Sequence, residues 1–310
     1  MRKAALPSLF VGPEGLRAGW SLLVFVVLVA ALIMGEKALV SYLFPEKSPA
    51  QEITPLSGFY TQALPLLATF LVTWIMSKME GRPLSVYGLA TKRALPNFLT
   101  GLAWGVICLS LLVLALWKAG FLIFDGRLLF GAASFGYGAL WLFIAILVGF
   151  LEEYLTRGFV LFTLTRGLAA IYAWIFKTRR SHALGFWTAA LILSVLFGLG
   201  HGKNVGESPL GLVSAGLAGL VFCLSLWRTG SLWWAIGFHA SWDWAQSFLY
   251  GVADSGHMIQ QHLLATRPAG APIMSGGATG PEGSVFVLLI FPVIIAIIVF
   301  TLPPNASSAA

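Results

Sequence analysis

The chain has 310 residues, of which 58% are hydrophobic and only 10% are charged. Soluble domains carry about 25% charged residues, so this composition excludes an ordinary soluble domain. It predicts an all-α fold, a polytopic transmembrane helical bundle. The formal net charge of +7 lies mostly in short segments between apolar runs, as in cytoplasmic loops. No motif that reads DNA or RNA is present, so we expect no nucleic-acid partner.

Eight apolar segments are candidate membrane spans, since a span needs about 20 residues. They are residues 17–35, 54–77, 97–119, 137–163, 184–202, 208–227, 231–250 and 284–302. The first is interpreted as an uncleaved span because no small-residue cleavage site precedes Gly35. Cys108 and Cys223 each lie within an apolar run, and we expect both to be small apolar core residues.

The number of lysine and arginine residues is alternately high and low in successive segments that connect the predicted spans. They are frequent in the N-terminal arm, after the second and fourth spans, and at Arg228 after the sixth. The intervening segments carry fewer. The positive-inside rule therefore predicts that both termini are cytoplasmic.

Four regions follow from this pattern: residues 1–135 with three N-terminal spans, 136–250 with a helical core, 251–283, and 284–310 with the last span and a short tail. Residues 251–283 are rich in Gly, Pro, Ala and Ser, which predicts an exposed, partly mobile, non-cytoplasmic loop. We expect no role for its His257 and His262. A stripe of small residues spaced four apart, Gly211, Ala215 and Gly219, predicts close helix packing.

The fourth predicted span contains charges that do not belong in hydrocarbon. Glu152, Glu153 and Arg157 would each cost about 2.5–3.5 kcal/mol near the bilayer centre. Glu153 and Arg157 are four residues apart and can pair on one helix face. Glu152 lies on a neighbouring face, so a structural ion pair alone leaves one carboxylate unexplained.

Two further spans carry ionisable residues at the same helical spacing. Phe197 and His201 share one face of the fifth span, and His239 and Asp243 share one face of the seventh. Buried ionisable groups of membrane proteins face the bundle interior and meet each other. We therefore expect an active site in one polar cavity inside the bundle.

A buried glutamate of this kind is a competent general base for water, and a histidine can position the water or stabilise an oxyanion. No serine or cysteine lies in a nucleophile motif. Hydrolysis of a peptide bond by activated water fits best. Two alternatives stay open, a proton-coupled transporter and a non-catalytic scaffold or immunity protein. The cofactor is also open: none is needed, but Glu152, His201 and His239 form a plausible zinc set.

At these residues the sequence resembles the CPBP family of intramembrane endopeptidases, which includes the type 2 CAAX prenyl proteases and bacterial Abi proteins. The family motifs EExxxR, FxxxH and HxxxN/D correspond, in order, to Glu152–Arg157, Phe197–His201 and His239–Asp243. The resemblance covers about residues 135–250 and marks 136–250 as a CPBP-like catalytic core.

The resemblance implies a role for each motif residue. Glu152 would activate water with support from Glu153 and Arg157, and His201 and His239 would position water and stabilise the oxyanion. Asp243 stands where the prenyl proteases have Asn, which puts an oxyanion-donor role and activity on prenylated substrates in doubt. The family is often labelled a metalloprotease, yet its mechanism is often described as metal-free. The expected partners are the lipid bilayer and a peptide or protein substrate, in a bacterial cell membrane.

The depth of His201 conflicts with the predicted spans. At 1.5 Å per residue, a helix that starts at residue 184 places His201 about 25 Å from its start. Glu152 and His239 are expected toward the cytoplasmic half. Either the fifth span begins later, or the site lies deeper than these span ends suggest.

Overall fold

The computed structural model describes residues 9–12, 15–43, 52–90 and 92–304. The basic residues Arg2 and Lys3 of the N-terminal arm and Lys47 after the first predicted span lie outside these ranges, as does most of the C-terminal tail. The helices are α1 (Ala18–Leu43), α2 (Pro55–Glu80), α3 (Ala94–Lys118), α4 (Gly131–Glu153), α5 (Leu161–Phe176), α6 (Ser181–Gly200), α7 (Pro209–Thr229), α8 (Trp233–Trp244), α9 (Pro272–Ser275) and α10 (Val287–Thr301). The fold is therefore the predicted all-α polytopic bundle.

Six helical segments of the described chain are long and apolar enough to cross a bilayer. The fourth of them is continuous over 46 residues, because α4 and α5 are joined by a π-helix, Tyr154–Val160. It is much longer than the predicted span 137–163. The predicted seventh and eighth spans form shorter helices, α8 with a π-helical extension Ala245–Leu249, and α10.

Helix α8 is short because it lies inside the protein. It packs against α3 and α4, and most of its residues are buried. A Cβ atom at Gly105 would lie 2.3 Å from the carbonyl oxygen of Phe238, and one at Gly237 would lie 2.2 Å from that of Phe98. These glycines allow α3 and α8 to approach closely. A helix enclosed by others does not need the full thickness of the hydrocarbon layer.

Hydrogen bonds identify the helix ends that share one end of the bundle. Arg228 near the end of α7 donates to the carbonyl of Leu302, just after α10. Arg166 in α5 donates to the carbonyl of Leu16 and pairs with Glu80 at the end of α2. We call this end, where α1 begins and α2, α5, α7 and α10 end, the basic face.

The segment between α8 and α10, at the opposite end, differs from its prediction. It pairs with other parts of the chain through short strands: β3 (Glu52–Ile53) with β5 (Met258–Ile259), and β4 (Leu122–Arg127) with β6 (Leu264–Pro268). A third strand pair, β1 (Val11–Gly12) with β2 (Gly15–Leu16), precedes α1. Val252, Ser275 and Thr279 are buried. The expectation of an exposed loop over 251–283 was wrong, because these strand pairs and contacts fold the segment onto the helix ends.

Candidate active site

A buried ion cluster joins α4, the π-helix and α8. Arg157 donates to Glu153 Oε1 over 2.6 Å, and His239 Nδ1 donates to the same oxygen over 3.0 Å. The Glu153 side chain has no exposed surface and that of Arg157 is 2% exposed. Burying a charge is costly unless it is paired, so each of these groups depends on the others.

Arg157 is enclosed by aromatic rings and backbone. Its guanidinium lies 4.6 Å from the ring centre of Phe197 and 5.5 Å from that of Phe222. Its Nε donates to the carbonyl of Gly219 over 3.2 Å. A Cβ atom at Gly219 would lie 2.7 Å from the guanidinium. Gly219 of the small-residue stripe therefore makes room for the arginine, besides serving helix packing.

Glu152 differs from its neighbour in exposure and pairing. Its side chain is 32% exposed, and its Oε2 lies 3.8 Å from Nε2 of His239. The carboxylate of Glu152 is not part of the ion pair that Arg157 forms with Glu153. Asp243 Oδ2 lies 3.6 Å from the same Nε2. His239 thus has its Nδ1 committed to Glu153, while its Nε2 faces two further carboxylates.

His201 is the first residue of a short 3-10 turn that directly continues α6. Its Nδ1 donates to the carbonyl of Phe197 over 2.8 Å. A carbonyl can only accept, so Nδ1 carries the proton, and in the neutral ring Nε2 is left as an acceptor. This arrangement leaves Nε2 available to a water molecule.

One cavity of about 90 Å³ is lined by Phe197, His201, His239 and Asp243, together with Asp254 and Glu282. That volume holds several water molecules. The cavity brings the second and third motif pairs together, and Glu152 and Glu153 of the first pair contact its His239.

Asp254 and Glu282 were not predicted as site residues. Both come from the segment that folds over the end of α8, and Glu282 accepts from the backbone of Ser255 over 2.6 Å and from the side chain of Gln246. Burial raises the pKa of Asp254 to about 6, and burial together with Asp254 raises the pKa of Glu282 well above its usual range. Neither residue lies in a periodic pattern. The only feature of the sequence that could have indicated them is the presence of an acidic residue in a Gly-rich segment.

The conflict over the depth of His201 is resolved by the antiparallel course of α5 and α6. Helix α6 begins at Ser181, so a later start of the fifth span was wrong. Arg157 lies against Phe197, and Glu153 and His201 each follow one turn further from the basic face. The site therefore lies toward the opposite end of the bundle, where Asp254 and Glu282 close it.

Two of the three motif-bearing helices, α4 and α8, change to π-helix within two residues of their motif acids. Tyr154–Val160 follows Glu153, and Ala245–Leu249 follows Asp243 by two residues. Such segments are rare and occur frequently at functional sites.

The described residues contain no group of three or more His, Cys, Asp or Glu side chains arranged to hold a metal ion. The zinc candidates Glu152, His201 and His239 do face one region. The Nδ1 of His239 is held by Glu153, and the Nδ1 of His201 is held by a backbone carbonyl. Zinc-bound histidines are held in the same way by their second ring nitrogen, so the two Nε2 atoms are available either to a metal ion or to a water molecule.

Apolar spans around a buried ionic cluster define an integral membrane protein with an enclosed polar site. Residues 134–245 match the family described as type II CAAX prenyl endopeptidase Rce1-like. The match confirms the resemblance derived from the motifs, and its range contains all seven motif residues that were singled out. Residues 134–245 are thus similar to a CAAX-protease-like intramembrane peptidase family. No curated protein and no solved structure matches the chain.

Proposed function

We propose that this protein is an intramembrane endopeptidase that hydrolyses peptide bonds of membrane-associated peptides or proteins with a water molecule activated by glutamate and histidine. The observation that carries the proposal is the single cavity shared by His201, His239 and Asp243, with Glu152 and Glu153 in contact with His239. These groups supply an acceptor for a water proton and donors for a developing oxyanion in a largely enclosed space.

Glu152 is the proposed base. It is the more exposed carboxylate of the pair and is not bound to Arg157, so its oxygens are open to water. Water attacks the peptide carbonyl carbon while Glu152 takes one proton. The carbon–nitrogen bond then breaks, and that proton passes to the leaving amine. The second proton of the water stays on the new carboxyl group, so the immediate products are a carboxylic acid and an amine, which ionise to a carboxylate and an ammonium group.

Glu153 and Arg157 are proposed as positioning residues. Glu153 fixes the ring of His239 through Nδ1, which leaves Nε2 directed at the cavity. With a proton on Nε2, His239 donates to the oxyanion. His201 accepts from the attacking water through its free Nε2, and Asp243, whose Oδ2 lies 3.6 Å from Nε2 of His239, favours a proton on that nitrogen.

The proposed membrane orientation puts the basic face, and with it both termini, in the cytoplasm of a bacterial cell. Arg17, Arg82, Arg166 and Arg228 lie at this end, which is the arrangement that the positive-inside rule describes. The candidate cavity then opens toward the non-cytoplasmic side. Reporter fusions at each terminus test the orientation, and a signal from the outer compartment contradicts it.

The decisive experiment compares wild type with Glu152→Gln in liposomes that contain membrane-anchored reporter peptides. We expect cleavage by wild type only, with one ¹⁸O from labelled water in the new carboxylate. Asp125→Asn is the matched control, since it removes an exposed carboxylate that pairs with Arg267 away from the cavity. A chelator arm tests for a metal. Folded wild type that cleaves none of a broad peptide set favours the scaffold alternative, and proton-coupled flux favours the transporter.

A further inference from the structure

A serine of α7 lines the candidate active-site cavity without a hydrogen-bond partner. Ser214 is only 3% exposed, and its hydroxyl makes no hydrogen bond to any described residue. The buried hydroxyls of Ser225 and Ser241, by contrast, each donate to the carbonyl three residues earlier, over 2.8 Å and 3.2 Å. Buried polar groups are usually hydrogen-bonded, so the free hydroxyl of Ser214 indicates an acceptor that enters the cavity.

The position of Ser214 along α7 matches that of Glu152 along α4. Helix α7 and the continuous segment that begins with α4 both run toward the basic face, and they meet where Arg157 donates to the carbonyl of Gly219. Glu152 lies five residues before Arg157, and Ser214 lies five residues before Gly219, which is about 7.5 Å along each helix. The hydroxyl and the proposed base are therefore at a similar depth in the bundle.

The face of α7 that carries Ser214 forms one wall of the cavity. Gly211, Ser214, Ala218 and Phe222 are spaced three or four residues apart along this face, and all of them line the cavity. Phe222 stacks on the ring of His239, with the ring centres 5.5 Å apart. The same wall therefore carries the hydroxyl and, about two turns further along, the ring that packs on His239.

Few of the side chains that line the cavity can donate a hydrogen bond to a developing oxyanion. His239 can donate through Nε2, but the Nδ1 of His201 is held by a backbone carbonyl. Asp243 can only accept when it is ionised, whereas a serine hydroxyl can donate and can serve in an oxyanion hole. Ser255 also lines the cavity, but it belongs to the segment that covers the site and is more exposed than Ser214.

We propose that Ser214 donates a hydrogen bond to the carbonyl oxygen of the scissile peptide bond, as a second oxyanion donor beside His239. The inference rests on the proposed peptidase function and adds a catalytic residue that lies outside the three motifs. The hydrogen bond strengthens as negative charge develops on the carbonyl oxygen, so it stabilises the transition state more than the bound substrate. No covalent bond of Ser214 is formed or broken.

The test measures kcat and KM of wild type, Ser214→Ala and Ser225→Ala on the membrane-anchored reporter peptides in liposomes. Ser214→Ala should lower kcat about 100-fold and change KM less than about threefold, because one oxyanion donor is lost. Its unfolding midpoint should equal or exceed that of wild type, since no hydrogen bond within the described fold is broken. Ser225→Ala is the matched control, because it removes a buried hydroxyl of the same helix that does not line the cavity, and its kcat should be unchanged.

Ser214→Thr keeps a hydroxyl at this position and should retain most of the wild-type kcat. Equal kcat values of wild type and Ser214→Ala, with Glu152→Gln inactive, would overturn this inference and leave the proposed function standing. Equal losses in the Ala and Thr variants, or a lower unfolding midpoint of Ser214→Ala, would also overturn it, as would a covalent adduct of Ser214 with the peptide in mass spectra. A folded wild type that cleaves no peptide would overturn both proposals.

Discussion

The adjacent glutamates of α4 are expected to respond differently to the same substitution. Glu153 is fully buried and holds Arg157 at 2.6 Å and His239 at 3.0 Å. Glu153→Gln leaves the guanidinium of Arg157 buried without an anion. Removing one partner of such a buried pair costs about 3–5 kcal/mol of the free energy of unfolding. Glu152→Gln should cost less than about 1 kcal/mol, since that side chain is 32% exposed and makes no close ion pair.

The assay is denaturant or thermal unfolding of the purified variants in detergent, followed by helical circular dichroism, with peptide cleavage measured in parallel. Glu152→Gln should remain folded and lose cleavage. Glu153→Gln should lose stability first. The double variant Glu153→Gln, Arg157→Met removes the unpaired charge and should regain at least half of the lost stability. Equal destabilisation by Glu152→Gln and Glu153→Gln, or no recovery in the double variant, would refute the reasoning.

Three further outcomes are expected. Gly219→Ala should lower the free energy of unfolding by about 1–3 kcal/mol and reduce cleavage, because the new Cβ would lie 2.7 Å from the guanidinium of Arg157; a stabilised variant, as helix propensity alone predicts, would contradict this. Gly105→Ala should lower the free energy of unfolding by at least about 1–3 kcal/mol, because its Cβ would lie 2.3 Å from the carbonyl oxygen of Phe238. An unchanged free energy of unfolding would show that α3 and α8 are further apart. Because burial raises the pKa of Asp254 to about 6 from 3.8, its protonated form stabilises the fold fully below about pH 3.8, and this contribution is lost as the pH rises through about 6. Asp254→Asn should therefore flatten the fall in unfolding midpoint over that interval, and an unaltered pH profile would argue against a buried carboxyl there.

The membrane class, the helical bundle and the motif residues followed from the sequence alone. Their signals are local: the low proportion of charged residues, apolar runs of about 20 residues, and acids and histidines four apart on one helix face. A charge in hydrocarbon is so costly that its presence already implies burial among partners. The pairing of Glu153 with Arg157 needed no more than this spacing.

Only the tertiary structure decided which side chains meet between helices and how deep the site lies. His239 reaches Glu153 from another helix because α8 lies inside the bundle, against glycines of α3 and α4. The periodicity of apolar residues does not show that the 12-residue helix α8 is enclosed by its neighbours. It also does not place Asp254 at the cavity, because Asp254 belongs to a folded segment without a repeating pattern. Contacts between residues far apart in the chain depend on packing and loop closure, which local composition does not encode.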